Sequence, residues 1–307
     1  LSKNISPYLY AECNNNSGNF NPVATGTGAV ALGRGANAGA SPSFAAGTNS
    51  GFSGSTANGA GSTALGGSYA SGSNSFAAAI ANNTSSYGAT GTSSVAMGKL
   101  AKASSTSAIC LGMTSISSGA RAVNFGSYST ASGSYSAVLS GVSNSVGQNY
   151  SVVLNGAGSV NNIAGKVVWG NHGLTGNEGG MYRFFADTTT ATSEALTTTN
   201  TTAGTTNQIV LPNNSAFAFS GTIVARQQAS QGTASAAWKI EGLIRREGSA
   251  GTTVLVNSAT TVLDNTPAWG MALTADVTNG GLAITVTGAA STNVRFVATI
   301  NTSEVTY

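Results

Sequence analysis

Short apolar pieces recur along residues 23–172 at a nearly fixed spacing, and this recurrence restricts the fold more than any local propensity does. Val30-Ala31-Leu32-Gly33, Phe44-Ala45-Ala46-Gly47, Val95-Ala96-Met97-Gly98, Ile109-Cys110-Leu111-Gly112, Val123-Asn124-Phe125-Gly126 and Ala137-Val138-Leu139-Ser140 are six of ten such pieces. The end positions 98, 112, 126 and 140 lie 14 apart, and the steps on to 155 and 170 are 15. Those from 47 to 66 and from 79 to 98 are 19, as inserted loop residues would make them.

Within a piece the first and third residues are usually large and apolar while the second is often Ala, an alternation that marks a strand with one buried face. About seven residues after several pieces a second glycine follows, as at Gly119, Gly133 and Gly147. Two short strands and two tight turns therefore fill one coil, with glycine expected to supply positive φ at the turns. Coils stacked in register would place a charge over a like charge at each step, so such a region should avoid charge. Between Glu12 and Glu178 there is no Asp or Glu, and the only cations are Arg34, Lys99, Lys102, Arg121 and Lys166.

The whole chain of 307 residues is 7% charged, where about 25% is ordinary for a soluble domain. A net charge of +3 with 41% hydrophobic residues argues against charge-driven disorder. The cations are scattered rather than gathered into a patch, which argues against a nucleic-acid partner. The 41 glycines show no three-residue period, so collagen is excluded. No apolar run reaches the ~18 residues of a membrane helix, and no membrane insertion is expected. The chain begins at Leu1 without the basic and apolar regions of a signal peptide, and its natural N-terminus is expected to lie upstream.

Acids and long Val, Ile, Leu and Thr runs return from Asp187 onward. The expected organisation is a connecting segment at 1–22, the repeat region at 23–172, a glycine-rich linker at 173–180 and a second domain at 181–307. That domain reads as short strands over Tyr182 to Ala186, Gln208 to Pro212, Ala216 to Gln227, Ser235 to Arg246, Thr252 to Val256, Thr261 to Leu263, Trp269 to Ala275, Leu282 to Thr287 and Val294 to Thr306. Turns at Pro212-Asn213-Asn214, Asp264-Asn265-Thr266-Pro267 and Asn279-Gly280-Gly281 separate several of them. This spacing fits an antiparallel β-sandwich of jelly-roll type.

The Val-Ala-Leu-Gly pieces, followed by stretches such as Ser129-Thr130-Ala131-Ser132-Gly133, resemble the head repeats of YadA-like trimeric autotransporter adhesins. The resemblance implies a left-handed parallel β-roll of ~14-residue repeats and a homotrimer. No coiled-coil heptads and no C-terminal anchor barrel accompany it. Over 207–307, Asn207-Gln208-Ile209-Val210-Leu211-Pro212 and Trp238-Lys239-Ile240-Glu241-Gly242-Leu243-Ile244-Arg245-Arg246 are similar to C-terminal domains of bacteriophage tail fibres and other phage structural proteins. The fold expected is thus all-β, a parallel roll followed by an antiparallel sandwich.

Candidate chemistry is sparse. Cys13 and Cys110 are 97 positions apart and form no CxxC or Cys/His cluster, so they read as buried or incidental thiols and no metal or cofactor is expected. His172, the only histidine, has no acid near it in sequence and reads as a polar turn residue rather than a general base. Glycosidic cleavage needs two carboxylates across the scissile bond. Glu241, Glu247, Asp264 and Asp276 are the acids of the second domain considered for that role; around Glu241, Lys239, Arg245 and Arg246 suggest cross-strand ion pairing, and a structural role is the reading preferred for all four. No catalytic residue is expected. Trp238 and Trp269 read as core rings; if either binds a ligand it is Trp269, at a loop end of the sandwich, and Trp269 and Asn265 are the candidate receptor contacts, while Tyr69, Tyr87, Tyr128 and Tyr135 fall in turn or second-strand positions of the repeats.

The function expected from these readings is structural attachment without enzymatic activity: an extracellular tail fibre of a phage virion. Its expected partners are two further copies of itself, other virion fibre or baseplate proteins, and a host-surface glycan or protein. A fragment of a bacterial trimeric adhesin, a virion decoration or head fibre, and a polysaccharide depolymerase are the alternatives.

Overall fold

The computed structural model describes residues 22–47, 54–80, 86–170, 177–265 and 267–307. Cys13, His172 and most of the 1–22 segment lie outside the described residues, as does part of each 19-residue step. The chain is all-β and forms two compact units, Leu1–Ser129 and Thr130–Tyr307.

The first unit is a parallel β-solenoid. One ladder runs through Val30–Leu32, Phe44–Ala46, Thr63–Leu65, Phe76–Ala78, Val95–Met97, Ile109–Cys110 and Val123–Asn124. Val30 pairs with Phe44, Val95 with Ile109 and Ile109 with Val123, which gives coils of 14 residues. A second ladder of two-residue strands, from Val23–Ala24 to Ile116–Ser117, closes the other side of each coil.

The alternation marks one buried face, and in the structure that face carries the middle residues of the pieces. Ala45, Ala64, Ala77, Ala96 and Cys110, the middle residues of their pieces, are fully buried, stacked in register and packed with Ala38, Ala57, Ala70, Ala89 and Ala103 of the other ladder. The lumen of so narrow a coil admits little more than a methyl group from each wall, so the larger first and third residues point outward. Met97, Leu111 and Phe125 are exposed there. Where Asn124 replaces alanine inside, its Nδ2 donates to the Ile116 and Ser129 carbonyls at 2.9 and 2.8 Å and its Oδ1 accepts from the Gly126 amide at 3.1 Å. A buried amide is tolerated because its hydrogen bonds are made.

The turns bear out the glycine expectation in part. Gly33, Gly47, Gly66 and Gly98, at the ends of apolar pieces, have positive φ, but left-handed backbone also falls on residues with side chains, among them Ser93, Ser107, Thr114, Arg121, Tyr128, Tyr135 and Tyr150, and Gly133 and Gly147 are outside that region. Gly133 is required for a different reason. A Cβ there would sit 2.0 Å from the Gln148 carbonyl oxygen of the next coil, so close approach of stacked backbones, not φ, selects glycine.

The second unit opens with coils one residue longer: Ala137 pairs with Val152 and Val152 with Val167, and the inward residues Val138, Val153 and Val168 are larger. The strand Val167–Gly170 then pairs antiparallel with Asn177–Thr188, which begins inside the segment expected as a linker. The sheet continues in the order Asn177–Thr188, Val294–Thr306, Ser215–Gln227, Ser235–Arg246 and Val254–Asp264. A smaller antiparallel sheet has Gly281–Thr287 at its centre, flanked by Gly270–Asp276 on one edge and by Ser193–Ala195 and Ile209–Val210 on the other. Tyr182, Phe184, Phe217, Trp238, Phe296 and Ile300 of the large sheet bury against Leu196, Ile209, Leu282, Ile284 and Val286 of the small one.

The strands read over Ser235 to Arg246 and Val294 to Thr306 have the bounds expected, and those over 216–227, 269–275 and 282–287 lie within a residue of them. Two pieces read separately, 252–256 and 261–263, are one strand, Val254–Asp264, kept together by two register shifts against Ser235–Arg246. Ser193–Ala195 carried no alternation and was not anticipated.

If backbone approach sets the glycine pattern, Gly133→Ala should lower Tm by several degrees, corresponding to about 1–3 kcal/mol of overpacking. Gly251→Ala, where nothing lies within 4 Å of the new Cβ, should leave it within a degree or so. Equal melting temperatures for the two variants, measured by circular dichroism, would contradict the assignment.

Candidate functional site

The structure withdraws Trp269 from the surface. Asn265 accepts from the Trp269 amide at 2.9 Å and donates to its carbonyl at 2.8 Å, closing a side-chain-braced turn that turns the indole inward. The indole is 5% exposed and meets Phe296 edge-on at 6.0 Å between ring centroids. The pair proposed as receptor contacts is in this chain a turn brace and a core ring.

The four acids weighed for catalysis are dispersed. Lys239–Glu241 and Arg245–Glu247 pair at 3.6 and 3.4 Å along their own strand rather than across strands, with more than half of each side chain in solvent. Such pairs contribute little to stability. Asp276 accepts from the amides of Thr278 and Asn279 and from the side chains of Asn279 and Gln208. Partial burial opposes its ionisation, but these hydrogen bonds outweigh it and hold the carboxyl below its usual range. Asp264 ends the edge strand. Of the four tyrosines, Tyr69 and Tyr87 are half-buried and Tyr128 and Tyr135 are exposed. Tyr150, not singled out by the sequence, is 65% exposed and stacks on Tyr135 at 5.0 Å with 8° between planes.

A buried polar cluster in the second unit was also missed. Glu178 and Glu304 face each other directly across paired strands. Lys166 Nζ lies 2.8 Å from Glu304 Oε2, with side-chain exposures of 6% and 5%. Tyr182 Oη donates to Glu304 Oε1 at 2.9 Å, and Thr302 donates to the same oxygen. Burial keeps the Tyr182 phenol protonated, an effect reinforced by the nearby Glu304 charge. Burial also raises the Glu178 carboxyl above its ordinary range against the opposing pull of Lys166. Both Glu304 oxygens are engaged, so the cluster acts as an ion-pair lock between the last coil and the last strand. The signal that could have found it is Lys166 itself, the only cation between Arg121 and Arg183: a lone charge in a charge-poor stretch calls for a partner.

A cavity of about 640 Å³ lies on the outer face of the large sheet. Asp187, Arg295 and Arg226 lie side by side on three adjacent strands. Arg295 forks onto Asp187 through Nε at 2.6 Å and Nη2 at 2.8 Å, and these hydrogen bonds hold the Asp187 carboxyl below its usual range. In the next row Val297 pairs with Val224, which is 53% exposed, and Gln228 and Asn293 stand at the rim.

Two further surfaces are apolar. Leu139, Leu154 and Trp169 face outward in the second unit's coils as Met97, Leu111 and Phe125 do in the first. Val254, Val256, Val262 and Leu263 are exposed on the edge strand of the large sheet.

No protein-family model and no curated protein matches the chain. Among solved structures it is weakly similar to the tailspike protein gp49 of Acinetobacter baumannii bacteriophage Fri1, a capsular polysaccharide depolymerase, at 8% identity and a TM-score of 0.23, over 88% of this chain and 47% of that one. It is also weakly similar to the tailspike protein of Acinetobacter baumannii phage AM24, at 8% identity and a TM-score of 0.21, over 87% and 53%. The chain spans about half the length of each.

Removing one member of the lock should cost more than removing the lock. Lys166→Met is expected to destabilise by about 3–5 kcal/mol, and Lys166→Met with Glu304→Gln to recover most of that loss in denaturant titrations. The raised Glu178 carboxyl contributes stability that is fully present below the ordinary glutamate pKa of about 4.3 and is lost as pH rises through the folded value. Glu178→Gln should therefore raise Tm at neutral pH and leave it unchanged below about pH 4. A parallel shift at both pH values would contradict this.

Proposed function

We propose that the protein is a non-enzymatic attachment fibre of a phage virion, extracellular and homotrimeric. In this reading the coils form a left-handed roll of the YadA-like kind and the sandwich meets a host-surface glycan or protein. The observation that carries the reading is the orientation of the coils, with alanine inside and Leu111 and Phe125 outside in the first unit, and valine inside and Leu139 and Leu154 outside in the second. Large apolar side chains repeating with the coil rise within a unit are matched best by a surface with the same rise, which another copy of the chain supplies. The resemblance of the repeats to trimeric adhesin heads supports three copies. The exposed edge strand Val254–Asp264 would be covered in the same assembly, removing a site of uncontrolled strand pairing. Three copies turn weak single contacts into firm attachment.

Light scattering of the purified chain should give about 90 kDa, three times the chain mass of 30.2 kDa. Leu111→Ser combined with Phe125→Ser should shift the protein toward single chains while leaving the far-ultraviolet circular dichroism of the coils unchanged. A wild-type monomer would contradict the assembly, and release of reducing ends from a capsular polysaccharide would contradict the non-enzymatic assignment.

A further inference from the structure

The cavity over Asp187, Arg295 and Arg226 carries a charge imbalance that the fold does not resolve. Arg226 and Arg295 are directly opposed on neighbouring strands, an arrangement that like charges disfavour. Asp187 neutralises Arg295 through two hydrogen bonds. Among the described residues no carboxylate pairs with Arg226. Its Nη1 reaches only the Gly232 and Ala234 carbonyls, at 3.4 and 3.3 Å, which anchors one side of the guanidinium and leaves the other donors available. The cavity thus presents one uncompensated planar cation in a fixed position.

The surroundings narrow what that cation would take. A guanidinium fork matches a carboxylate in two-pronged geometry. Immediately beside it Val224 and Val297 form an apolar shelf one row deep, suited to the C–H face of a ring rather than to a long alkyl chain. Beyond the shelf, Thr189, Gln228 and Asn293 offer hydroxyl and amide groups at the rim. A single net positive charge is too little to neutralise a run of phosphates. A ligand with one carboxylate, a compact apolar face and several hydroxyls fits all three parts.

We propose that this cavity binds a carboxylated monosaccharide unit, of uronic acid type, within an acidic surface polysaccharide, and that Arg226 holds its carboxylate. The assignment names the ligand class for the attachment reading and rests on it.

The test uses the full chain in its native assembly, checked by light scattering, with retention on immobilised alginate, polygalacturonate and hyaluronan measured beside neutral dextran and polyglutamate. Retention on at least one uronate polymer and on neither control is expected. Arg226→Ala should weaken that retention by roughly tenfold or more, and Arg226→Lys by less, since it keeps the charge and loses the fork. Arg226 is exposed, so neither variant should change the mass or the melting temperature. Absence of retention on all three uronates, equal retention by Arg226→Ala, or equal binding of polyglutamate, which would mark a site for acidic protein, overturns the proposal. If the native assembly still binds host cells in those cases, attachment stands and only this site falls.

Discussion

Backbones stacked about 4.8 Å apart set the terms for the first unit and for the opening coils of the second. At that spacing each coil lies almost in van der Waals contact with the next. A Cβ at Gly133 has no room beneath the following turn, and the inner faces of the two ladders meet over alanine methyl groups. The same constraint accounts for the missing acids, because side chains at equivalent positions of successive coils are nearest neighbours and like charges would repel at each step. Large apolar residues are left only the outside, where the proposed trimer would cover them.

The second unit shows how the constraint is relaxed. Its coils gain one residue, and valine takes the inward positions that alanine holds in the first unit. The last parallel strand then turns to antiparallel pairing, with Trp169 lying over Gly179 where any side chain would collide with the indole. Lys166, Tyr182 and Glu304 secure this change of architecture from inside. Among the described residues, the buried ion pair lies where the repeat ends and strict stacking no longer applies.

Much of this was legible in the sequence. All ten apolar pieces are strands of one ladder, and two long sandwich strands have the bounds that alternation assigned. What alternation does not encode is which of its two faces is inside. That choice depends on coil width, a property of two ladders together, and in the first unit it puts alanine inside and the large residues outside. Trp269 is the core ring it reads as, and what the string did not show is the Asn265 brace, a three-dimensional closure of the turn that draws the indole inward. Glu178 and Glu304, and likewise Asp187, Arg295 and Arg226, come from distant parts of the sequence and meet only through strand register. Cys110, read as a buried thiol, is buried, and desolvation raises its pKa.

In the proposed assembly, two further copies of the chain cover its outward apolar side chains. A side-chain-resolution electron cryomicroscopy map of the purified protein tests it most directly. The account predicts three coils packed side by side with Leu111, Phe125, Leu139 and Leu154 in the contacts between chains; single coils with those side chains facing solvent would contradict it.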